Sequence, residues 1–355
     1  MKKIGINMSH YWVIGWYWVV ATNIINGLLK SNEYEFYLLS TEKKELPGSL
    51  RTKKNIHWIL SDTKPHFMYR LWTQGSLLKK HNIDIFYTPD QIVPIKKVCK
   101  YISTIHDLYA RINFRWLKAL KFKDNRAKIY HFMHLDKIFA RKSDYIITPS
   151  TASRIDIENE LWIDKSKLIM THRGMNHITP HLDTIKKDYI LFPLCSDCDN
   201  HFIFRLWSEI LKRHYTKEII YWKPHSDTWN LPIIRNKNMK IITNKISEIE
   251  KEKLISESKI AIYVSEMEWF WFPPLECQKY WCPIIYHKVW SLEEVIWDSW
   301  IWLQWHVTED YLNNIELLVN NENFYKKIQT SWYENTSKYS RNKVKTSIEN
   351  IFNNI

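Results

Sequence analysis

Residues 264–285 read VSEMEWFWFPPLECQKYWCPII. An apolar run ends at Ser265, a loop follows, and Pro273-Pro274 stands where a helix can open. Proline already holds the φ of a first helical turn and has no N–H to lose there. A second apolar run, PIIYH, begins at Pro283. The stretch is therefore strand, loop, helix, strand. Glu268 falls in the loop and Glu276 in the first turn of the helix. Free amides and the positive dipole end make such a helix start suited to phosphate. A loop that carries its backbone against a diphosphate needs residues without side chains, and Trp269 and Trp271 are the opposite.

Working outward, the same alternation fills the chain. KKIGINM, EFYLLS, DIFYTP, YISTIHD and DYIITPS are short, apolar and β-branched, with helical patterns at 18–30, 70–81 and 122–142 between them. A second series, DYILFPL, EIIYWKP, MKIIT, IAIYVS and PIIYH, alternates with helical stretches at 200–213, 247–258 and 274–280. Such βαβα order predicts parallel sheets covered by helices on both faces. Residues 177–187, HITPHLDTIKK, are polar and contain a proline, which places the domain boundary there. The fold class expected is α/β: two doubly wound, Rossmann-like domains whose parallel sheets face a central ligand cleft.

The 355 residues are 45% hydrophobic and 25% charged, which excludes disordered, collagen-like and disulfide-stapled classes. No run of 18 apolar residues is present to span a membrane. The start, MKKIGINMSH, reads as a buried strand rather than a signal peptide. Five irregularly spaced cysteines fit a reducing cytoplasm. The net charge of +13 favours anionic partners, but the basic residues are scattered. No zinc-finger spacing, RNA-binding aromatic motif or basic zipper occurs, so no nucleic-acid partner is expected. His131 and His134 lie three apart on one helix, where packing or exposure accounts for them better than metal ligation. Cys195-x-x-Cys198 lacks the second ligand pair of a zinc site.

One composition figure is abnormal. The chain has 6 Gly and 19 Trp. An average protein of this length, at about 7% glycine, has roughly as many glycines as these two counts combined.

The 264–285 segment resembles the C-terminal signature of the retaining glycosyltransferases of family 4, E-G-F-G-L-P-P-L-E-A-M-A-C-G-C-P-V-I. It matches through Glu268, Phe270, Pro273, Pro274, Leu275, Glu276, Cys282, Pro283 and Ile285. The resemblance runs over nearly the whole chain. HNIDIFYTPDQIVPI (81–95) and YISTIHDL (101–108) are similar to the family's N-domain strand, acceptor-side loop and T-x-H-D-L segment. Residues 143–176, IIYWKP (219–224) and SLEEVIWDSWIWL (291–303) follow further family stretches. Seven tryptophans, at 162, 222, 269, 271, 281, 297 and 300, stand where the family has glycine. Composition and motif together support the hypothesis that UGA codons for glycine were read as Trp; a diverged or decayed enzyme is the alternative.

The resemblance implies the GT-B fold, with an N-terminal acceptor domain over 1–178 and a nucleotide-sugar domain over 186–335. It also implies a C-terminal helix, 336–355, packing back on the first domain. His106 would hydrogen-bond the donor sugar, Asp107 would stay near the reacting centre, and Glu268 would contact the transferred sugar. Glu276 would accept from the ribose hydroxyls, beside Leu275, and the amides of Phe270, Trp271 and Phe272 would hold phosphate. Gly15 matches the family's first glycine-rich turn, though an ordinary βα turn would also place a glycine there. His106 could equally be a structural strand-end histidine. Where the family carries Arg and Lys after the first strand of its second domain, this chain has Asp199-Asn200-His201. A carboxylate beside a diphosphate is unfavourable, and Lys223 or Arg173 would have to compensate.

The function implied is retaining transfer of a hexose from a nucleotide-sugar donor to a glycan or lipid-linked sugar acceptor, in surface polysaccharide or lipopolysaccharide synthesis. No metal site and no cofactor are expected. The +13 charge and residues 109–123, YARINFRWLKALKFK, suit peripheral contact with an anionic membrane at the cytoplasmic face. A lid or acceptor-side helix would read the same way. The alternative function is a GT-B partner or scaffold subunit with impaired catalysis.

Overall fold

The computed structural model of the chain describes residues 1–9, 11, 22, 24–108, 111, 126–171, 184–193, 200–222, 236–244, 246–265, 272–287, 291–296, 302–303, 307–339, 346 and 349–353. Its contacts divide it into two units, Met1–Met175 with Arg341–Ile355, and Asn176–Ser340.

In the first unit the strands are β1 (Lys2–Asn7), β2 (Tyr34–Ser40), β3 (Ile56–Leu60), β4 (Ile85–Thr88), β5 (Lys100–Thr104), β6 (Tyr145–Thr148) and β7 (Leu168–Met170). They form one parallel sheet in the order β3-β2-β1-β4-β5-β6-β7. The chain winds outward from β1 in one direction and from β4 in the other, so the winding reverses between these two neighbours. A doubly wound sheet leaves a crevice at that point, outside the carboxyl ends of its strands. Central strands buried on both faces must be apolar throughout, and every residue of β4, Ile-Phe-Tyr-Thr, is buried. β1 passes close under helix α1 (Gln74–Lys80). A Cβ at Gly5 would lie 2.7 Å from Leu78 Cδ2, so a side chain there would force Leu78 to shift.

Helices α2 (Arg126–Lys142) and α3 (Thr151–Leu161) flank β6 in sequence. Ser150 caps α3 by accepting from the Ser153 amide at 3.1 Å, which satisfies one of the free N–H groups of the first turn. Phe352, near the chain's end, is buried in this unit, with its ring 6.4 Å from Tyr34 and 6.1 Å from Tyr87. β3 and β7 were not among the expected strands. β3 is a partly exposed run ending the sheet, and β7 has three residues, so neither shows a sustained apolar pattern.

The second unit repeats the plan with β8 (Lys187–Phe192), β9 (Glu218–Trp222), β10 (Met239–Ile242), β11 (Ser258–Tyr263), β12 (Ile284–His287) and β13 (Trp302–Leu303). They are parallel in the order β10-β9-β8-β11-β12-β13, with the reversal between β8 and β11. Helices α4 (Asn200–Lys212), α5 (Glu248–Ser256), α6 (Phe272–Lys279), α7 (Leu292–Ile296), α8 (Thr308–Asn320) and α9 (Glu322–Thr336) complete it. Trp207 on α4 is fully buried, edge-on to Phe192 and Tyr221. Among the described residues no helix is long and apolar enough to cross a membrane.

Candidate active site

Of the described residues expected to carry chemistry, His106 and Asp107 follow the carboxyl end of β5, and Leu275 and Glu276 lie on α6, the helix after β11. In the first unit β5 ends at Thr104, and His106 and Asp107 follow. His106 Nε2 lies 3.0 Å from the Pro89 carbonyl oxygen, on the chain just after β4. The Ser153 hydroxyl donates to the His106 carbonyl at 3.0 Å, tying the segment to the start of α3. Strand end and helix start thus hold the His-Asp pair between them.

Asp107 stands in an acidic neighbourhood. Burial pushes the Asp136 carboxyl up to about 7, against the pull of Arg111, and the charge of Asp107 adds to the rise. Burial also pushes Asp156 up to about 7, reinforced by Glu160 and Asp107. Neither aspartate was singled out from the sequence. They lie on two helices, far in sequence from Asp107, and only the fold gathers them. Beside them a buried polar network crosses the β1/β4 reversal. The Asn7 amide donates to Thr88 Oγ1 at 3.0 Å, and Gln74 Nε2 donates to Asn7 Oδ1 at 3.0 Å. Asp90 accepts from Thr88 at 3.1 Å and is ion-paired with Arg70. Arg70 lies in a π-turn over Tyr69–Thr73, an irregularity that occurs often at functional sites.

In the second unit β11 ends at Tyr263, Val264 and Ser265 are buried, and α6 begins at Phe272. The 264–285 segment therefore leaves the sheet beside the β8/β11 reversal. Two of the first three residues of α6 are prolines, so this helix start offers fewer amides to an anion than most. Leu275 and Cys277 are fully buried. Glu276 accepts from Lys251 Nζ at 2.8 Å through Oε1, while Oε2 is buried with no partner among the described residues. Burial pushes the Glu276 carboxyl up, and Lys251 opposes it. Burial draws the Lys251 ammonium down, but Glu276 and Glu248 hold it above its ordinary range. A buried carboxylate oxygen without a donor is costly, about 1–3 kcal/mol or more for a charged group. It is the kind of group a ligand hydroxyl satisfies.

Residues 18–177 match the family described as Glycosyltransferase Family 4. Solved structures share the fold. Sucrose-phosphate synthase from Thermosynechococcus elongatus superposes with a TM-score of 0.70 at 9% identity, over 100% of this chain and 99% of that one. HepE of Anabaena in complex with UDP gives 0.67 at 12% identity, and the lipopolysaccharide outer core galactosyltransferase WaaB gives 0.64 at 14%, each covering 100% of both chains. The family 4 match covers 160 of the chain's 355 residues. The fold of the chain is GT-B, and the protein is a glycosyltransferase. No curated protein matches it.

Within this glycosyltransferase, Gly15, Arg173, Lys223, Glu268, Phe270 and Trp271 lie outside the described residues, as do the side chain of Phe272, Cys195, Cys198 and Asp199 and most of 109–123. His134 is exposed. Among the described residues no group of three or more His, Cys, Asp or Glu side chains could hold a metal ion.

Of the tryptophans at family glycine positions, Trp162, Trp222 and Trp281 are described. Trp162 has φ 55° and Trp281 φ 56°, both left-handed. Trp281 follows the last turn of α6, where its N–H donates to the Gln278 carbonyl at 3.2 Å and the Cys282 N–H to the Cys277 carbonyl at 2.9 Å. This hydrogen-bond pair is a Schellman ending, whose left-handed residue is usually glycine. The other left-handed non-glycine residues among those described are Asn82 and His214, types that tolerate this region. A bulky indole does not. Trp222, at the carboxyl end of β9, is 4% exposed with an unpartnered indole N–H. Trp207 and Trp332 share that defect, so the orphaned N–H marks no glycine position; the left-handed backbone does so at Trp162 and Trp281, and not at Trp222.

Proposed function

We propose that this glycosyltransferase transfers a sugar from a nucleotide-sugar donor, with retention at the anomeric carbon, to a glycan or lipid-linked acceptor in surface polysaccharide or lipopolysaccharide synthesis. The observation that carries the reading is the unpartnered, buried Oε2 of Glu276, which lies in the second turn of α6 and not in the first as expected, on the helix that follows β11. Two vicinal ribose hydroxyls are donors of the kind it lacks. HepE, which shares this fold, was solved in complex with UDP, and that supports a nucleotide ligand.

In this reading Glu276 and Leu275 receive the nucleoside, and the amides of residues 270–272 with Lys223 and Arg173 receive the diphosphate. Gly15, matching the family's first glycine-rich turn, is a further donor-binding residue in this reading. Glu268 contacts the transferred sugar. His106 hydrogen-bonds that sugar, and Asp107 lies near the reacting carbon. The acceptor hydroxyl attacks on the face the diphosphate leaves, and the departing diphosphate oxygen takes the hydroxyl proton. The C–O bond to the diphosphate breaks as the C–O bond to the acceptor forms, with no protein nucleophile. Positioning and stabilisation of the leaving group carry the rate.

The same proposal includes glycine as the native residue at 162, 222, 269, 271, 281, 297 and 300, since left-handed backbone at 162 and 281 is what glycine supplies. Peripheral contact with an anionic membrane through 109–123 belongs to the reading as well. A partner subunit with impaired catalysis is the second reading, favoured by Asp199-Asn200-His201 in place of the family's cations.

The test is a screen of nucleotide sugars by thermal shift on the glycine-restored chain, followed by a transfer assay with anomeric NMR. One donor should stabilise the protein and yield product of unchanged anomeric configuration. Donor binding without turnover would favour the partner-subunit reading. Stabilisation by no nucleotide sugar would defeat both.

A further inference from the structure

Glu276 is held by a residue that the family signature does not include. Helix α5 is fixed at its start by a capping box, in which Ser247 Oγ accepts from the Glu250 amide and the Glu250 carboxylate accepts from the Ser247 amide. One turn on, the Lys251 side chain is 5% exposed and its ammonium donates to Glu276 Oε1 at 2.8 Å. Its second carboxylate, Glu248 at 2.7 Å, has a side chain that is 86% exposed and therefore well screened.

A buried ion pair repays its desolvation only when the remaining lone pairs are also satisfied. Here Oε2 is not, so the pair is poorly built for stability alone. It is well built for presentation. A lysine ammonium is a point charge that can sit on one oxygen, whereas an arginine fork would engage both. The ammonium opposes the rise that burial imposes on the carboxyl and fixes its orientation, while one oxygen stays unpartnered.

We propose that Lys251 is a positioning residue for the donor site: it anchors Glu276 through Oε1 so that Oε2 is presented, charged, to the ribose hydroxyls of a nucleoside diphosphate. The inference rests on the nucleotide-sugar reading above. Without the ammonium, the buried carboxyl takes up a proton, and a neutral acceptor holds a hydroxyl less strongly than a charged one.

The experiment is isothermal titration of the whole chain carrying W269G and W271G, the residues of the glycine-restored reading. UDP, GDP and ADP are compared, and then the tightest of them with its 2′,3′-dideoxy analogue. The parent should prefer the ribonucleotide by about tenfold or more, the range for a hydrogen bond to a charged group. In Lys251→Met the preference should fall to about threefold or less, while Glu248→Gln keeps it within twofold of the parent. A general loosening of the fold would weaken both ligands alike and leave the ratio unmoved, so the ratio isolates positioning. If the methionine variant does not fold, Lys251→Gln, which removes the charge but keeps a donor, carries the same comparison. A Lys251 variant that keeps the full parental ratio overturns the proposal. Should the parent bind a nucleotide without discriminating ribose, the role of Glu276 fails, and with it that of Lys251. Should the parent bind none, the nucleotide-sugar reading itself fails.

Discussion

At position 162 glycine should be more stabilising than alanine, the reverse of their order inside a helix. Trp162 ends α3 with φ 55° and ψ 50°, and its side chain points outward, 73% exposed. An L-residue in this left-handed region costs about 1–2 kcal/mol. Alanine keeps the Cβ responsible for that cost; glycine removes it, but returns about 0.4–1 kcal/mol through its freer unfolded chain. The balance favours glycine over alanine by about 1 kcal/mol. Both variants also lose the Lys137 ammonium, which lies 3.4 Å from the indole centroid. At so exposed a site that contact contributes roughly 0.5–1 kcal/mol. Trp162→Gly is therefore expected within about 1 kcal/mol of the parent, and Trp162→Ala about 1 kcal/mol below Trp162→Gly. Urea unfolding followed by far-UV circular dichroism measures both. At Trp207, buried in the middle of α4, glycine should instead cost about 4 kcal/mol or more, from cavity formation and helix propensity together. If alanine at 162 matches or exceeds glycine, the backbone there is not a glycine backbone, and the argument from left-handed tryptophans is refuted.

The remaining predictions concern coding, the buried pair and pH. The gene should carry UGA at codons 162, 222, 269, 271 and 281, and peptides of the protein made by its own host should contain glycine there; UGG at these codons refutes the reassignment. Glu276→Gln should strip Lys251 of its buried partner and cost about 3 kcal/mol in urea unfolding, while Lys251→Met/Glu276→Gln recovers most of that loss. A double variant no more stable than either single one would show that the pair is not coupled. Asp136 has a folded-state pKa raised to about 7 from 3.8, so the folded state holds a proton that the unfolded chain has released. Its stabilisation is complete below about pH 4 and is lost as pH rises through 7, at up to about 1.4 kcal/mol per pH unit. Asp136→Asn, which keeps an acceptor for Gln91 Nε2 at 2.8 Å, should match the parent near pH 4 and exceed it at pH 8. Unfolding curves at pH 4, 6 and 8 check this, and parallel stability–pH profiles would contradict it.

Much of the fold was legible before any coordinates. Ile4, Ile6, Phe86, Tyr101 and Ile146 belong to short runs whose neighbours are also apolar, the mark of strands covered on both faces. β3 and β7 were not legible. His57 and Leu60 of β3 are exposed, so its pattern is mixed, and a three-residue strand such as β7 is too short to show a period. Pro273 and Pro274 marked the start of α6 to within two residues, because proline constrains its own backbone.

The chemistry divides along the same line. The sequence by itself determined the βαβ order, the family string around Glu276, the His106-Asp107 dipeptide and the excess of tryptophan over glycine. These are properties of adjacent residues, where local backbone preference and side-chain period decide. Only the tertiary structure joined Lys251 to Glu276 across 25 positions and left Oε2 unpartnered. It alone gathered Asp136 and Asp156 near Asp107, and showed that Trp162 and Trp281 occupy left-handed backbone at helix ends. Burial, charge pairing and the sign of φ at a helix end depend on what packs against a residue after the chain has turned back on itself, and no local pattern records that.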